Sequence, residues 1–312
     1  MKWILRGFSL IVVLVLGAYL LADLRLKPMT ETAQEAAPGE FIALTDGKIH
    51  YRWDGPEDGE IIVLAHGFST PNFIYEQNVE ALTGAGFRTL RFDHFGRGWS
   101  DRPKTKYDVD FYDRALVELL DGLDITGPID LAGLSMGGPI VSEFTVRHPE
   151  RVNKLVLLVP AGLDTAGADG AAASLMNVPL VGDWIWRMFG KGILLGDSQY
   201  QEEARAPADR LRGDVSEQFE YRGYLQALLS TLRNMPMTGR ETAFEQLSQT
   251  GVPVLAIYGD ADATVLISSA AKLQSLMPDA DVRVVEGGEH GLNYQMHEQI
   301  NPWLVDWFSD AQ

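Results

Sequence analysis

The chain has 312 residues, 46% of them hydrophobic, which is enough for one large domain or two small ones with a sizeable core. Asp and Glu outnumber Lys and Arg by 43 to 26, and the resulting net charge of −17 repels phosphate backbones, so no nucleic-acid partner is expected. Cysteine is absent, which excludes disulfides, a cysteine nucleophile, thiolate metal sites and a lipid-modified N-terminal cysteine.

Residues 1–27 open with Lys2 and Arg6, run uncharged from 7 to 22 and close with Asp23, Arg25 and Lys27. This pattern predicts an N-terminal membrane anchor or a signal sequence. Tyr19-Leu20-Leu21-Ala22 is a poor cleavage site, which favours an uncleaved anchor with the remainder exported; secretion after cleavage is the alternative. Residues 28–40 read as a linker.

A domain is expected over residues 41–312. It begins with a hairpin, strands at 41–44 and 48–53 around the Asp46-Gly47 turn. Residues 61–65 are a continuous apolar run, as expected of a strand buried on both faces, and end in His66-Gly67-Phe68. A helix over 72–85, a strand over 88–92 ending at Asp93 and a helix over 111–123 follow. Next come a strand from Ile129, a helix over 139–147 and a strand over 155–159. Strands alternating with helices predict an α/β fold, a mostly parallel sheet covered by helices on both faces. The alternation breaks after Pro160 and resumes at 253–258. Residues 162–248 therefore read as a helical cap insertion over the strand ends, where such sheets bind ligands. Its cluster of Met176, Trp184, Trp186, Met188 and Phe189 reads as cap packing. A helix over 265–277, a strand over 282–285 and a closing helix over 292–308, which contains Pro302, complete the chain.

The chemistry centres on Gly133-Leu134-Ser135-Met136-Gly137, a Gly-x-Ser-x-Gly pattern between a strand and a helix. There a serine sits on a tight turn with the helix N-terminus behind it, where N–H groups favour a developing negative charge. A serine hydroxyl needs a base, and the base needs a third group to hold its tautomer. Of six histidines, His290 is the best base, in a glycine-rich turn after a strand. His50, His148 and His297 read as solvent-exposed, and His94 is a weaker competitor. His66 reads as structural rather than as a metal ligand. Asp262 is preferred as the acid over Asp260, Glu286 and Glu289. The N–H groups of Phe68 and Met136 are the candidate oxyanion donors. Nothing in the pattern calls for a cofactor or a metal, and Asp93 to Asp101, which is not a phosphate loop, reads as a tight loop shaping the floor of the site.

These landmarks, His66-Gly67-Phe68, Asp93 through Gly98 to Asp101, the Ser135 turn, Gly259-Asp260-Ala261-Asp262 and Gly288-Glu289-His290, together resemble the α/β-hydrolase superfamily over residues 41–308. Within it the chain looks most like the single-cap carboxylesterases and monoacylglycerol-lipase-like hydrolases. The resemblance implies Ser135 as nucleophile, Asp262 as acid, His290 as base, and Phe68 and Met136 as oxyanion donors. It implies a small-molecule ester substrate, and the apolar cap and the anchor suggest a hydrophobic acyl group arriving from a membrane. Leu134 stands where many members have histidine. The alternative is hydrolysis of a carbon–carbon bond in a β-diketone-like substrate by the same triad. A non-catalytic binding protein on this fold would predict a degraded triad, and all three members are present.

Overall fold

A computed structural model of the chain describes residues 24–35, 37–167, 170–196 and 208–310, together with residues 3, 6, 13, 15, 17–19 and 21. After a short helix α1 (Glu31–Glu35), the chain forms a hairpin of β1 (Glu40–Leu44) and β2 (Gly47–Asp54), with Gly47 at the turn at a φ of 138°. The remaining strands are β3 (Ile61–Ala65), β4 (Arg88–Phe92), β5 (Ile129–Leu134), β6 (Val152–Leu158), β7 (Val254–Gly259) and β8 (Asp281–Val285). They form one sheet in the order β1-β2-β4-β3-β5-β6-β7-β8. β2 pairs antiparallel with β1 and β4, and every other pairing is parallel.

The apolar strands lie in the interior of the sheet because both of their faces are covered. Val63, Ala65, Leu131, Leu155, Leu157 and Ala256 belong to one hydrophobic cluster, whereas Ile62, Leu64, Ala132, Val156, Leu158 and Ile257 belong to the other. This is the two-residue period of a strand read against two layers of helix. One layer contains α2 (Glu76–Gly84) and α12 (His297–Ser309), which pack on each other. The opposite layer contains α3 (Val109–Gly122), α4 (Gly137–Arg147), α9 (Glu241–Ser248) and α10 (Ser268–Leu276).

Between β6 and β7 the chain forms α5 (Ala171–Met176), α6 (Val181–Leu194), α7 (Ala208–Gln218) and α8 (Tyr224–Asn234), with α6 packed on α5 and α8. The next helix, α9, packs on α4 and α10, so it covers the sheet. The helix expected over 72–85 is a 3-10 turn, Asn72–Tyr75, followed by α2. The closing helix is two helices, α11 (Leu292–Gln295) and α12, with a break at Met296 where ψ turns to 30°.

The strand order reverses about β3. From β3 the chain steps to β4 on one side and then returns to place β5 on the other, opening a crevice at the C-terminal ends of β3 and β5. Residues 28–40 are fastened to this body: Gln34 is buried and its Nε2 donates to the Trp99 carbonyl at 3.0 Å and to Asp101 at 2.9 Å. The anchor or signal expected over residues 1–27 lies largely outside the described residues, and no helix among the described residues is long and apolar enough to cross a membrane.

Candidate active site

Ser135 stands at the switch point, between β5 and α4, with a φ of 52°. That left-handed conformation is unfavourable for a residue with a Cβ and persists only where the surroundings hold it. The main chain supplies the hold. Ser135 N donates to the Leu158 carbonyl at 2.9 Å, and the Ser135 carbonyl accepts from Gly138 N at 2.9 Å and Ala161 N at 3.1 Å. The flanking glycines are required by contact. A Cβ on Gly133 would lie 2.5 Å from the Gly137 carbonyl oxygen, and one on Gly137 would collide with the Ala65 carbonyl at the end of β3.

The turns after β7 and β8 bring an aspartate and a histidine, the candidate acid and base, to this hydroxyl. His290 Nε2 lies 2.9 Å from Ser135 Oγ, and His290 Nδ1 lies 2.8 Å from Asp262 Oδ2. The Asp262 side chain is wholly buried, and its Oδ1 accepts from Thr264 N at 2.7 Å and Val265 N at 2.9 Å. Two backbone donors on one oxygen leave the other aimed at the imidazole, which fixes a proton on Nδ1 and makes Nε2 the acceptor towards serine. Asp260, the other candidate acid, accepts instead from Gly287 N at 2.6 Å and ties the two turns together; Glu286 is exposed.

Phe68 and Met136 line the same cavity as Ser135, and neither backbone N–H has an acceptor among the described residues. Two unpaired amides beside a hydroxyl can bind an oxygen that becomes negative. Beneath them lies Arg97, a residue that the sequence reading passed over within the Asp93 loop. It is fully buried, its Nε donates to the Phe68 carbonyl at 3.0 Å, and its Nη2 lies 3.9 Å from Met136 Sδ and 2.8 Å from Thr231 Oγ1. Its guanidinium lies 5.6 to 5.9 Å from the ring centres of Phe68, Tyr107 and Tyr112, with no carboxylate at ion-pair distance among the described residues. The signal available was a cation between two glycines, Gly96 and Gly98, in the loop that follows a strand.

His66 and His94 are buried neutral spacers. His66 Nε2 accepts from His94 N at 2.9 Å, its Nδ1 donates to the Gly67 carbonyl at 2.8 Å, and His94 Nε2 donates to the His66 carbonyl at 3.1 Å. Burial drives the pKa of His66 down to about 4 and that of His94 well below its usual value. His50 is not solvent-exposed as expected. β2 lies inside the sheet, so alternate residues face the core, and His50 is buried with Nδ1 2.8 Å from Asp93 and Nε2 2.8 Å from the Pro38 carbonyl. Burial disfavours its charge, but the contact with Asp93 outweighs this and raises its pKa, while Asp93 is held down at about 2. His148 and His297 are half-buried.

The cavity over Ser135 has a volume of about 750 Å³ and is walled mainly by Met136, Met176, Trp186, Leu194, Met235 and Met237. Met176 and Trp186 thus line this cavity as well as packing the cap, whereas Met188 and Phe189 face outward. Among the described lining residues the only charged group is Arg233. Its two Nη atoms donate to Asp183 at 3.1 and 3.0 Å, and its Nε donates to the Met176 carbonyl at 2.8 Å. Among the described residues, no cluster of three or more His, Cys, Asp or Glu could hold a metal ion.

A sequence model of the alpha/beta hydrolase fold matches residues 60–295. A non-heme chloroperoxidase of Streptomyces lividans is 27% identical over 275 residues, spanning 85% of this chain and 97% of that protein. The 2-hydroxy-6-oxononadienedioate/2-hydroxy-6-oxononatrienedioate hydrolase of Paraburkholderia xenovorans LB400 is 26% identical over 302 residues, spanning 88% and 96%. Among solved structures, the carboxylesterase CesB of Bacillus subtilis superposes with a TM-score of 0.73 at 20% identity, over 96% of this chain and 99% of that one, a likeness of fold.

Proposed function

The chain belongs to the alpha/beta hydrolase family, and from that premise we propose that it is a serine hydrolase that cleaves carboxylic esters through an acyl-enzyme. The observation that carries this reading is the unbroken chain from Ser135 Oγ through His290 to Asp262, at 2.9 and 2.8 Å, opening into a cavity where the Phe68 and Met136 amides are unpaired. Ser135 Oγ attacks the carbonyl carbon as its proton passes to His290 Nε2, and the two amides hold the oxyanion. His290 returns the proton to the leaving alcohol. It then takes a proton from water as the hydroxyl attacks the acyl-enzyme, and gives that proton back to Ser135 Oγ as the acid departs.

The cavity wall supports an uncharged, hydrophobic acyl group. A dioate of the kind named for the Paraburkholderia relative carries two carboxylates, each of which needs a cationic or donor partner when buried. The guanidinium of Arg233 is already committed to Asp183 and Met176, so carbon–carbon hydrolysis of such a substrate is the weaker reading. The test is a fluorophosphonate probe together with p-nitrophenyl esters of graded chain length. Ser135→Ala should abolish labelling and lower kcat by several orders of magnitude while folding is retained. Undiminished turnover in that variant would overturn the mechanism, and a sharp preference for acetate over octanoate would overturn the hydrophobic acyl group.

A further inference from the structure

Helix α8 serves two places at once. Its C-terminal end supplies Leu232, Arg233 and Asn234 to the cavity over Ser135, while its first turn reaches the loop that carries a proposed oxyanion donor. The Tyr224 hydroxyl is fully buried and donates to the Ser69 carbonyl at 2.6 Å, one residue from Phe68. Further along the helix, Thr231 Oγ1 accepts from Arg97 Nη2 at 2.8 Å, and Arg97 Nε donates to the Phe68 carbonyl at 3.0 Å. Between these two contacts Ala227 is packed so tightly that a Cβ on Gly96 would collide with its methyl group. Tyr224, Ala227 and Thr231, spaced i, i+3, i+7, thus form one face of α8, seated on the loops at 66–70 and 95–97.

Three successive carbonyls of the loop are held in this way. Gly67, whose carbonyl shares a peptide plane with the Phe68 N–H, accepts from His66 Nδ1 at 2.8 Å; Phe68 accepts from Arg97, and Ser69 accepts from Tyr224. The loop has little slack on its other side, because a Cβ on Gly67 would lie 3.3 Å from Ser135 Cβ. The start of the helix is itself a fixed point. Arg102 Nη1 donates to the Arg222 carbonyl at 3.2 Å, and Arg222 N donates to the Lys27 carbonyl at 2.8 Å, so both the body and the linker hold the corner before Tyr224.

We propose that Tyr224 is a positioning residue: through the Ser69 carbonyl it fixes the peptide planes that aim the Phe68 N–H, so the seating of α8 sets the geometry of the oxyanion site. The tie stands on these hydrogen bonds, whereas its effect on turnover rests on the ester-hydrolase reading. A preorganised donor stabilises the oxyanion more than the bound ester, so loosening it lowers kcat and leaves KM little changed. Tyr224→Phe keeps the ring and removes the hydroxyl. Ser230→Ala is the control, since Ser230 Oγ donates to the Thr105 carbonyl at 2.9 Å and accepts from Tyr107 N at 3.2 Å, a different tie between α8 and the body. Amide hydrogen exchange and p-nitrophenyl butyrate kinetics are measured on the full-length native protein and both variants. In Tyr224→Phe, exchange over residues 66–72 should quicken and kcat should fall at least roughly tenfold with KM within about twofold, while Ser230→Ala matches the native protein in both. Unchanged exchange over 66–72 overturns the tie, and faster exchange there with a native kcat overturns the positioning role. Equal losses in Ser230→Ala, or lost protection across the whole sheet, would make the effect one of general folding and overturn both. A native protein that hydrolyses no ester overturns the esterase reading instead, and the exchange comparison then decides the tie by itself.

Discussion

Gly259 and Gly288 stand back to back. A Cβ on Gly288 would lie 3.0 Å from Gly259 Cα, and one on Gly259 would collide with the Gly288 carbonyl oxygen. The two turns are further joined by Ala261 N donating to the Gly288 carbonyl at 3.0 Å. The turn that carries Asp262 and the turn that carries His290 are therefore one packed unit, and the 2.8 Å contact between the two residues depends on the absence of two side chains.

Gly259→Ala should thus act on activity more than its place at a strand end suggests. Inserting a methyl group against backbone costs about 1–3 kcal/mol and is relieved by parting the turns. The expected outcome is a fall in kcat of at least roughly tenfold with a Tm several degrees lower. Ester turnover and calorimetry on the same variant check it; an unaltered kcat would mean that the turns are not coupled.

Asp262 and Asp260 are two residues apart and should differ sharply. Asp262→Asn keeps the shape but puts an amide where His290 Nδ1 needs an acceptor, so kcat should fall by about 10³ to 10⁴. Asp260→Asn can still accept from Gly287 N and should stay within about threefold of the native rate. Steady-state kinetics of the pair decide between the two aspartates; equal losses would remove the assignment of Asp262.

Arg97→Met tests whether the buried guanidinium positions the proposed oxyanion donors, the Phe68 and Met136 amides. The substitution leaves the Phe68 and Phe95 carbonyls without a donor, while Thr231 Oγ1 keeps the Tyr112 hydroxyl, and each unpaired buried acceptor costs about 1–3 kcal/mol. With the Phe68 carbonyl released, the neighbouring amide loses its fixed direction, so kcat should fall while KM changes little. Comparison with Arg97→Lys, which keeps the charge but not the fork of donors, separates positioning from charge. Equal kcat in both variants and the native protein would remove Arg97 from the site.

The parts of this arrangement that could be read from sequence are those set by local pattern. The runs at 61–65 and 254–259 are apolar without alternation because both of their faces are covered, and that marks them as interior strands. Ser135, Asp262 and His290 could be grouped because parallel strands present their C-terminal ends on one side. What the pattern does not carry is register between distant segments. His50 is buried because β2 pairs with β4, setting it beside Asp93, a partner 43 positions away. The cavity wall at Met235 and Met237 follows α8, and nothing in those residues says which way the chain turns after the helix.

Asp130 makes the stability of the protein depend on pH at the end of the sheet remote from Ser135. Its cross-strand neighbour is Lys154, but the Lys154 ammonium donates to the carbonyls of Trp307, Phe308 and Asp310 at the end of α12, so its three donors are spent and Asp130 Oδ1 has no partner. Burial accordingly pushes the Asp130 carboxyl up to about 7, only partly offset by the charge of Lys154. The unfolded chain titrates this group near 3.9, so between about pH 4 and 7 the folded state holds a proton that the unfolded state does not. Folding stability must then fall as pH rises through that window, with the full penalty above pH 7. Asp130→Asn removes the ionisation: it should be nearly neutral at pH 4 and stabilising by on the order of 4 kcal/mol at pH 8. Urea unfolding of both proteins at the two pH values checks this, and parallel stability curves would show that Asp130 is ionised in the folded protein at no cost.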